Sequence, residues 1–485
     1  MDPVVILGSA AGTGYQLIHR AKLTFVSFLL TALAVGVPAA AAPVKSVRTV
    51  TLKPIADALV TSAYPNRNFG RSRVLGLDSR PTVRSYLRFR LRSSDVPVRQ
   101  ATLRIFATVV RGRGLRVVST RPGSWKETTI TFSKAPLLRR TVASTQAPGK
   151  GWIDLNVTTA FRRAGLVDLA LVSASPSGTI ALASRESGAH SPRLIVTSGP
   201  DPVLAAAGNV ACDPAWRQFN AGNGVADDCR DRDTAALLDG MLAGVLTLGD
   251  AQYECGGPSA YAQSYGRAWG HFKSITHPVP GNHDYANGGG TDCDASGHAN
   301  GYFGYFGEAA GSFGKSYYSF DVGAWHIIAL DTECAPVGGC GPGSPEEKWL
   351  RDDLAAHSNR CTLAYWHYPI FSSGIQGGTP EATTFWQDLD RAGADVVLNA
   401  HEHDYERFAL QHLGAKAAPD GIREFVVGTG GRALHPFAAA LPNSQVRNDN
   451  TWGILKLTLH RASYDWRFVP TAEGSFTDSG SARCH

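Results

Sequence analysis

Between Val47 and about Thr197, short runs of alternating apolar and polar residues follow one another, with Gly, Pro and Asn between them. Tyr86-Leu87-Arg88-Phe89-Arg90-Leu91 alternates strictly, the period of two expected of a strand with one buried face. The pattern predicts strands at Asp57–Ser62, Val74–Asp78, Ser85–Leu91, Thr102–Val109, Trp152–Val157, Asp168–Val172, Thr179–Ala183 and Leu194–Thr197, with a helical turn at Thr158–Ala164. Many short strands without a long helix predict an antiparallel sandwich or jelly roll. Ser198-Gly199-Pro200-Asp201-Pro202 reads as a linker. Beyond it the period changes. Val203–Ala207, Val245–Leu248, Trp325–Leu330, Cys361–Tyr365 and Val396–Asn399 are short apolar runs of the kind a buried sheet needs. Asp231–Leu242 and Ala260–His271 have helical spacing. Ser344-Pro345-Glu346-Glu347 opens a helix with an N-cap serine, a proline at the first position and a capping-box glutamate. Strands alternating with helices predict an α/β domain whose ligands lie beyond the carboxyl ends of the strands.

Charge divides the chain at the same place. The 485 residues carry a net charge of +6, but residues 43–200 hold 26 Lys+Arg, 21 of them Arg, against 7 Asp+Glu. Residues 201–485 hold 19 basic against 33 acidic residues. Such asymmetry predicts two domains with different partners, and a dense positive surface favours polyanions. At the start, His19, Arg20 and Lys22 precede the apolar run Leu23–Val37, and Pro38–Ala42 supplies small residues. This is the pattern of a secretory signal peptide over residues 1–42, cut after Ala41 or Ala42, the alternative being an uncleaved N-terminal anchor. After it no apolar run reaches the roughly 18–20 residues that span a bilayer, which argues against an integral membrane protein. All eight cysteines lie at or after Cys212, an even number in an exported chain, so disulfides are expected. About a hundred pairings are formally open. Cys334 with Cys340, across a short Gly/Pro loop, is the first pair expected, and Cys212 with Cys229 the second.

Four segments stand where α/β strands should end: Gly249-Asp250-Ala251-Gln252-Tyr253, Gly281-Asn282-His283-Asp284, Trp366-His367-Tyr368-Pro369 and Ala400-His401-Glu402-His403. A fifth, Gly208-Asn209, follows the first strand of the domain. Oxygen and imidazole donors on loops held by a rigid sheet are what a metal cluster requires. A single histidine after a strand is usually a hydrogen-bonded core residue; it is the ordered set that carries the signal. Glu402 and Asp404 flank the paired histidines and are expected to be solvated, the alternative being acceptors for imidazole N–H groups. Asn300-Gly301-Tyr302-Phe303 and Tyr305-Phe306 read as core, the alternative being an aromatic wall near the site.

With Gly249-Asp250 and Tyr253, Gly281-Asn282-His283-Asp284, His367, and His401/His403 followed by Tyr405-Glu406-Arg407, residues 203–470 resemble the calcineurin-like metallophosphoesterases, specifically their purple acid phosphatase-like branch. The resemblance implies a four-layer αββα sandwich and two metal ions bridged by Asp250. One ion is also expected on Tyr253 and His403 and the other on Asn282, His367 and His401. Hard anionic donors suit Fe(III), and the imidazoles with the amide suit divalent Fe, Zn or Mn. Paired ions activate a water to hydroxide and clamp phosphoryl oxygens, and His283 is expected to protonate the leaving group. Three positions depart from the family pattern. Asn209 stands for its opening Asp and is expected to offer its carbonyl oxygen to the metal with one negative charge fewer, the alternative being a turn residue that binds nothing. Ala211 lacks the His of diesterase branches, and Ala400 replaces the Gly before the paired histidines.

Residues 43–200 resemble secreted β-sandwich modules classed as carbohydrate-binding, through Ala56-Asp57-Ala58, Tyr86-Leu87-Arg88-Phe89 and Ser124-Trp125-Lys126-Glu127. Acidic polysaccharide or wall polymer is the expected partner. Nucleic acid ranks lower, for want of an array of stacking aromatics. The alternative is that the basic module docks on its own acidic neighbour. The expectation is therefore a secreted or wall-associated multidomain enzyme: signal peptide 1–42, basic β-sandwich 43–200 and metallophosphoesterase domain 201–485, hydrolysing phosphate monoesters. The competing readings are a phosphodiesterase acting on nucleotides or polymers, and a binding protein weakened at its site by Asn209.

Overall fold

The computed structural model describes residues 47–485 apart from residues 113, 146–148, 162, 241 and 358–360; the expected leader, residues 1–42, lies outside them. Strands between Arg48 and Ser198 form one eleven-stranded antiparallel sheet folded over on itself. The strand Val74–Ser79 joins the two layers, pairing with Ile180–Ala183 on one side and Thr82–Leu91 on the other. Alternation closes the sandwich. Leu87, Phe89 and Leu91 meet Leu103, Ile105, Leu169 and Leu194 in one core. On the other face of that layer Tyr86 joins Ala58, Val60, Trp125 and Ala170 in a smaller cluster. Three strands went unread in the sequence: Arg48–Leu52, Leu115–Ser119 and Thr141–Thr145. They lie at or next to the ends of the sheet, and five residues leave little room for alternation to repeat.

The second half is built on two further sheets. The first runs Thr276–Val279, Leu242–Leu248, Val203–Ala207, Gly453–Leu459, Ser463–Pro470 and Ser479–Arg483, with its first three strands parallel. The second runs Tyr318–Val322, Trp325–Ala329, Cys361–Tyr365, Val396–Asn399, Arg423–Val427, Tyr405–Phe408 and Ser444–Asn448, with a parallel centre. Ile327, Leu363 and Leu398 of one sheet share a core with Leu246, Leu455 and Leu457 of the other. Ile328, Ala364 and Val397, pointing the other way, pack on Leu350, Phe385 and Leu389 of the helices Pro345–Ala356 and Thr383–Ala392. An α/β sandwich thus follows an all-β domain. Among the described residues, no helix is long and apolar enough to cross a membrane.

Two predicted helices are shorter than their spacing suggests. The helix at Asp231 ends at Ala235 and passes through a 3-10 turn to Leu238, because Gly240 takes a positive φ of 108° before the next strand. Ala260–His271 breaks into the helix Pro258–Gln263 and two 3-10 segments. Gly266 and Gly270 are drawn against Tyr261 and Tyr305, closer than any Cβ could come. At the other expected start, the Ser344 hydroxyl accepts from the Glu347 N–H at 3.3 Å, but the Glu347 carboxylate takes the Gly343 N–H at 3.0 Å, so the box is only half formed.

The β-sandwich meets the α/β sandwich at the amino ends of the latter's parallel strands. Asn156 donates to Asp321 at 2.9 Å and to the Gly323 carbonyl at 3.1 Å, and Arg461 donates to the carbonyls of Phe161 and Thr158. Behind this seam the His326 ring is clamped between Asp321 (3.2 Å) and Asp353 (2.7 Å), stacked on His357. Burial opposes its charge, but the two carboxylates outweigh burial and hold its pKa up at about 9. A folded value raised above the unfolded one stabilises fully below the unfolded pKa, and that stability is lost as pH rises through the folded pKa. The difference in stability between the wild type and His326→Asn, from denaturant melts between pH 6 and 10, should therefore be on the order of 3 kcal/mol at pH 6 and shrink through pH 9. A difference that grows with pH would contradict the clamp.

Candidate metal centre

Each of the five segments singled out in the sequence follows a strand at its carboxyl end, and four of them converge on one buried carboxylate. The chain leaves the strand Leu242–Leu248 through Gly249 (φ 86°) and Asp250 (φ 50°), which turns the Asp250 side chain inward. A Cβ on Gly249 would strike His367, and one on Gly281 would strike Asp250. Asp250, 1% exposed, accepts from the Tyr253 hydroxyl at 2.9 Å on Oδ2 and from the His283 N–H at 2.9 Å on Oδ1. His367 Nε2 lies 3.4 Å from Asp250 Oδ2 and 3.1 Å from Asn282 Oδ1. His403 Nε2 lies 3.1 Å from the Tyr253 hydroxyl. Asp250, Tyr253, Asn282, His283, His401 and His403 line one pocket.

Two histidines have their tautomers set by backbone carbonyls, which can only accept. His367 Nδ1 donates to Leu248 O at 2.8 Å and His403 Nδ1 to Ala433 O at 2.7 Å. Both Nε2 atoms are thereby aimed at the Asp250–Tyr253 centre, the arrangement by which second partners orient metal-binding imidazoles. Burial disfavours charge on His367, yet Asp250 beside it holds its pKa up at about 9. His401 and His403, buried among other cationic rings, are pushed down to about 3. Burial and the Asp250 charge drive the Tyr253 phenol well above its usual range, while Arg432 pulls the other way. A carboxylate, a phenol, an amide and the imidazoles of His401 and His403 on one pocket, with the His367 ring against Asp250 behind it, fit a pair of cations.

Asn209 sits differently. Its backbone is left-handed (φ 56°), and its side chain is fully buried and does not line the pocket. The carboxamide clips the His401 backbone instead: Nδ2 donates to His401 O at 3.0 Å and Oδ1 accepts from His401 N at 3.3 Å. Ala400 has no positive φ, and its methyl lies where a Cβ on Gly208 would be.

The expectation that Glu402 and Asp404 are solvated is wrong: both are fully buried. Neither reaches an imidazole. Glu402 accepts the Gly377 N–H at 2.6 Å, and burial raises both carboxyl pKa values, that of Asp404 strongly. The chain turns inward at His401 (φ 65°), so the residues beside it are drawn under the loop from Gly428. Tyr302 and Phe306 are core, as their pattern predicts.

Four pocket residues were missed: Glu254, Gln376, Arg432 and His435. His283 Nδ1 lies 2.7 Å from the Glu254 carbonyl. Arg432 pairs with Asp228 beside the Cys212–Cys229 disulfide, and its guanidinium lies 4.4 Å from the Trp216 ring and 5.0 Å from that of Tyr253. The available signal was the glycine-rich exit from an apolar strand, Val427-Gly428-Thr429-Gly430-Gly431, followed by Arg432 and His435. Both disulfides expected first are present, joined by Cys255–Cys293 and Cys361–Cys484.

Residues 228–405 match the family model for calcineurin-like phosphoesterases, and residues 48–198 that of carbohydrate-binding module family 96. The first span takes in every site residue named above from Asp250 to His403 and leaves Asn209 outside. The chain is 30% identical over 129 residues to purple acid phosphatase 15 of Arabidopsis thaliana, covering 25% of this chain and 23% of that protein. It is 31% identical over 110 residues to probable purple acid phosphatase 20 of the same plant, covering 21% and 25%. The chain thus spans about a quarter of the length of these curated relatives. The solved purple acid phosphatase PPD1 from yellow lupin (Lupinus luteus) seeds aligns at 13% identity with a TM-score of 0.45, over 89% of this chain and 74% of that one. Residues 228–405 thus match a calcineurin-like phosphoesterase domain, with similarity to plant purple acid phosphatases over part of their length, and residues 48–198 match a carbohydrate-binding module.

The packing around Asp250 makes a stability prediction independent of chemistry. Gly249→Ala adds a methyl against the His367 ring at a positive φ, and should destabilise the fold by about 2–4 kcal/mol in denaturant melts. Gly288→Ala, which meets nothing within 4 Å, should be close to neutral.

Proposed function

We propose that this chain is an exported phosphoesterase hydrolysing phosphate monoesters at a binuclear metal centre, and that its β-sandwich holds it near anionic glycan. The convergence of Tyr253, His367 and the His283 N–H on the two oxygens of one buried carboxylate carries the catalytic part. In this reading Tyr253 and His403 would hold an Fe(III) and Asn282, His367 and His401 a divalent Fe, Zn or Mn, with Asp250 available to both. When bound, the ions supply water activation and neutralise phosphoryl charge. His283, held through Nδ1 by Glu254, presents its other nitrogen to the leaving oxygen and protonates it. The Leu248 and Ala433 carbonyls keep His367 and His403 from turning away.

A monoester is favoured over a diester by Tyr253 and by Ala211 where diesterases carry His. The engagement of Asn209 with His401 supports a centre with one anionic donor fewer, and this is what keeps the weakened-site reading in play. Export is supported by four disulfides among the described cysteines and by the leader pattern. For the sandwich, Arg88, Arg104 and Arg185 pair with acids of the same domain. The seam with the α/β half lies away from the pocket, which suits an anchor. On its outer face Trp152, 37% exposed, is flanked by Arg104 and Arg193 at 5.4 Å each and packed on Phe106. An indole face with two guanidiniums and the exposed Asp154 suits a sugar ring that bears both carboxylate and hydroxyls.

Elemental analysis should find close to two metal ions per chain. Asp250→Asn should lose both and at least about a thousandfold in activity on p-nitrophenyl phosphate. His283→Ala should keep the metals and lose about 10²–10³ in kcat. Metal-replete protein that cleaves only bis(p-nitrophenyl) phosphate would replace the monoesterase reading with the diesterase one, and metal-free, inactive protein would favour the binding-protein reading. For the sandwich, the whole chain should be retained on a polygalacturonate column at low salt and released by salt. Trp152→Ala should elute early while keeping its native circular dichroism. Equal retention of wild type and variant would remove the indole from the binding surface.

A further inference from the structure

His435 belongs to none of the motifs that mark the metal ligands, yet it lines their pocket. It is brought there by a loop with little freedom. A Cβ on Gly428 would collide with the Glu402 carbonyl, one on Gly430 with the Gly208 carbonyl, and one on Gly431 with the Val210 carbonyl. The loop is thus threaded against the two segments that carry Asn209 and His403. At its end the His435 N–H donates to the His403 carbonyl at 3.0 Å, and the two rings stack 4.1 Å apart at an interplanar angle of 4°. His283, Tyr253, His403 and His435 therefore form a row of rings in contact, with centroid separations of 4.2, 6.0 and 4.1 Å.

The stacking decides what His435 can do. An imidazole coordinates through a lone pair in its ring plane, and metal–nitrogen bonds are about 2.0–2.1 Å long. Two rings lying face to face at this separation have parallel planes, so an ion in the plane of His403 is off the plane of His435. His435 cannot share the ion of His403. Neither of its ring nitrogens bonds to any described residue, and Nδ1 is buried without a partner. A half-buried imidazole lining a pocket, fixed by its backbone and by stacking, with both nitrogens uncommitted, is a group waiting for a ligand atom. An imidazole N–H seeks an acceptor, and the acceptor this pocket is built to receive is a phosphoryl oxygen.

We propose that His435 is a substrate-binding residue that donates a hydrogen bond to a non-bridging oxygen of the phosphoryl group, at the far end of the ring row from His283. The inference rests on the phosphoesterase reading above. His283 then meets the leaving-group side of the ester and His435 the phosphoryl oxygens, so the two imidazoles fix the orientation of the P–O bond that breaks. No bond forms at His435, and it acts equally on substrate and on the product phosphate.

The test uses the metal-loaded full chain, His435→Ala and His435→Gln, with p-nitrophenyl phosphate as substrate and inorganic phosphate as competing ligand. His435→Ala should raise KM and the phosphate inhibition constant together by about ten- to a hundredfold, the loss of one hydrogen bond to a charged group. It should change kcat by less than about threefold and retain the wild-type metal content. His435→Gln keeps a donor and should recover part of the affinity. Loss of metal from the folded Ala variant would make His435 a ligand, and unmoved KM and phosphate binding would make it a packing residue; either overturns the proposal. If the wild type hydrolyses no ester, the phosphoesterase reading fails, and phosphate titration calorimetry decides for His435 alone. Binding weakened in the variant supports the proposal, whereas equal binding, or none in the wild type, overturns it.

Discussion

A carboxylate sealed from water and surrounded by polar groups has to be neutralised, and the loops around Asp250 are arranged to do so. Burial alone would drive its proton back on; the His367 and His283 rings, with hydrogen bonds from the His367 side chain and the His283 backbone N–H, hold it far on the ionised side. That single charge aligns donors from segments distant in sequence: a phenol three residues on, a backbone N–H at position 283 and an imidazole at 367. The geometry around it is bought with unusual backbone. Asn209, Asp250 and His401 are all left-handed, a conformation that non-glycine residues hold only when the surroundings impose it.

The sheets provide the imposing surroundings. Asp250, His283, His367, His401 and His435 each follow a parallel strand at its carboxyl end, where the strand order of an α/β sheet opens a crevice. Disulfides then fix the loops that the sheets do not. Cys255–Cys293 ties the segment after Tyr253 to the one after His283, and Cys212–Cys229 sits beside the Asp228 that holds Arg432. The β-sandwich meets this body at the opposite, amino ends of the strands, through hydrogen bonds mostly to backbone carbonyls. Among these contacts the sandwich contributes Asn156 and backbone carbonyls rather than arginine side chains.

How much of this was legible depends on which physical signal each element leaves in the sequence. Strands such as Thr82–Leu91 carry an alternation that was read over Ser85–Leu91, while Leu115–Ser119 and Thr141–Thr145, five residues each, are too short to repeat one. Ligand-type residues at strand ends were readable because oxygen and imidazole donors cluster in short motifs. His435 was not: it reaches the pocket through a glycine-rich loop whose purpose shows only when the Glu402 and Gly208 carbonyls are seen pressed against it. Glu402 and Asp404 were misread for a related reason. A charged residue next to a ligand looks like surface in a sequence, and only the left-handed turn at His401 shows that its neighbours go inward.

That turn also gives the departures from the family pattern a common origin. With Ala at 400, the methyl fills the space that a side chain at 208 would need, so Gly208 and Ala400 are two halves of one contact. The next residues on each strand, Asn209 and His401, are then joined by a paired hydrogen bond that asks for a donor and an acceptor on the same side chain. A carboxamide offers both; an aspartate offers two acceptors, and one would face the His401 carbonyl. Asn209 is thus fitted to holding His401 in its strained conformation, with its oxygen already engaged by an N–H. Tyr253, which lines the same pocket as Asp250, has its ring beneath the Arg432 guanidinium at 5.0 Å. Arg432 is itself held by Asp228, so the charge that favours a Tyr253 phenolate is anchored outside the centre. The loop that supplies Arg432 also supplies His435, so a single glycine-rich segment brings both side chains to the pocket.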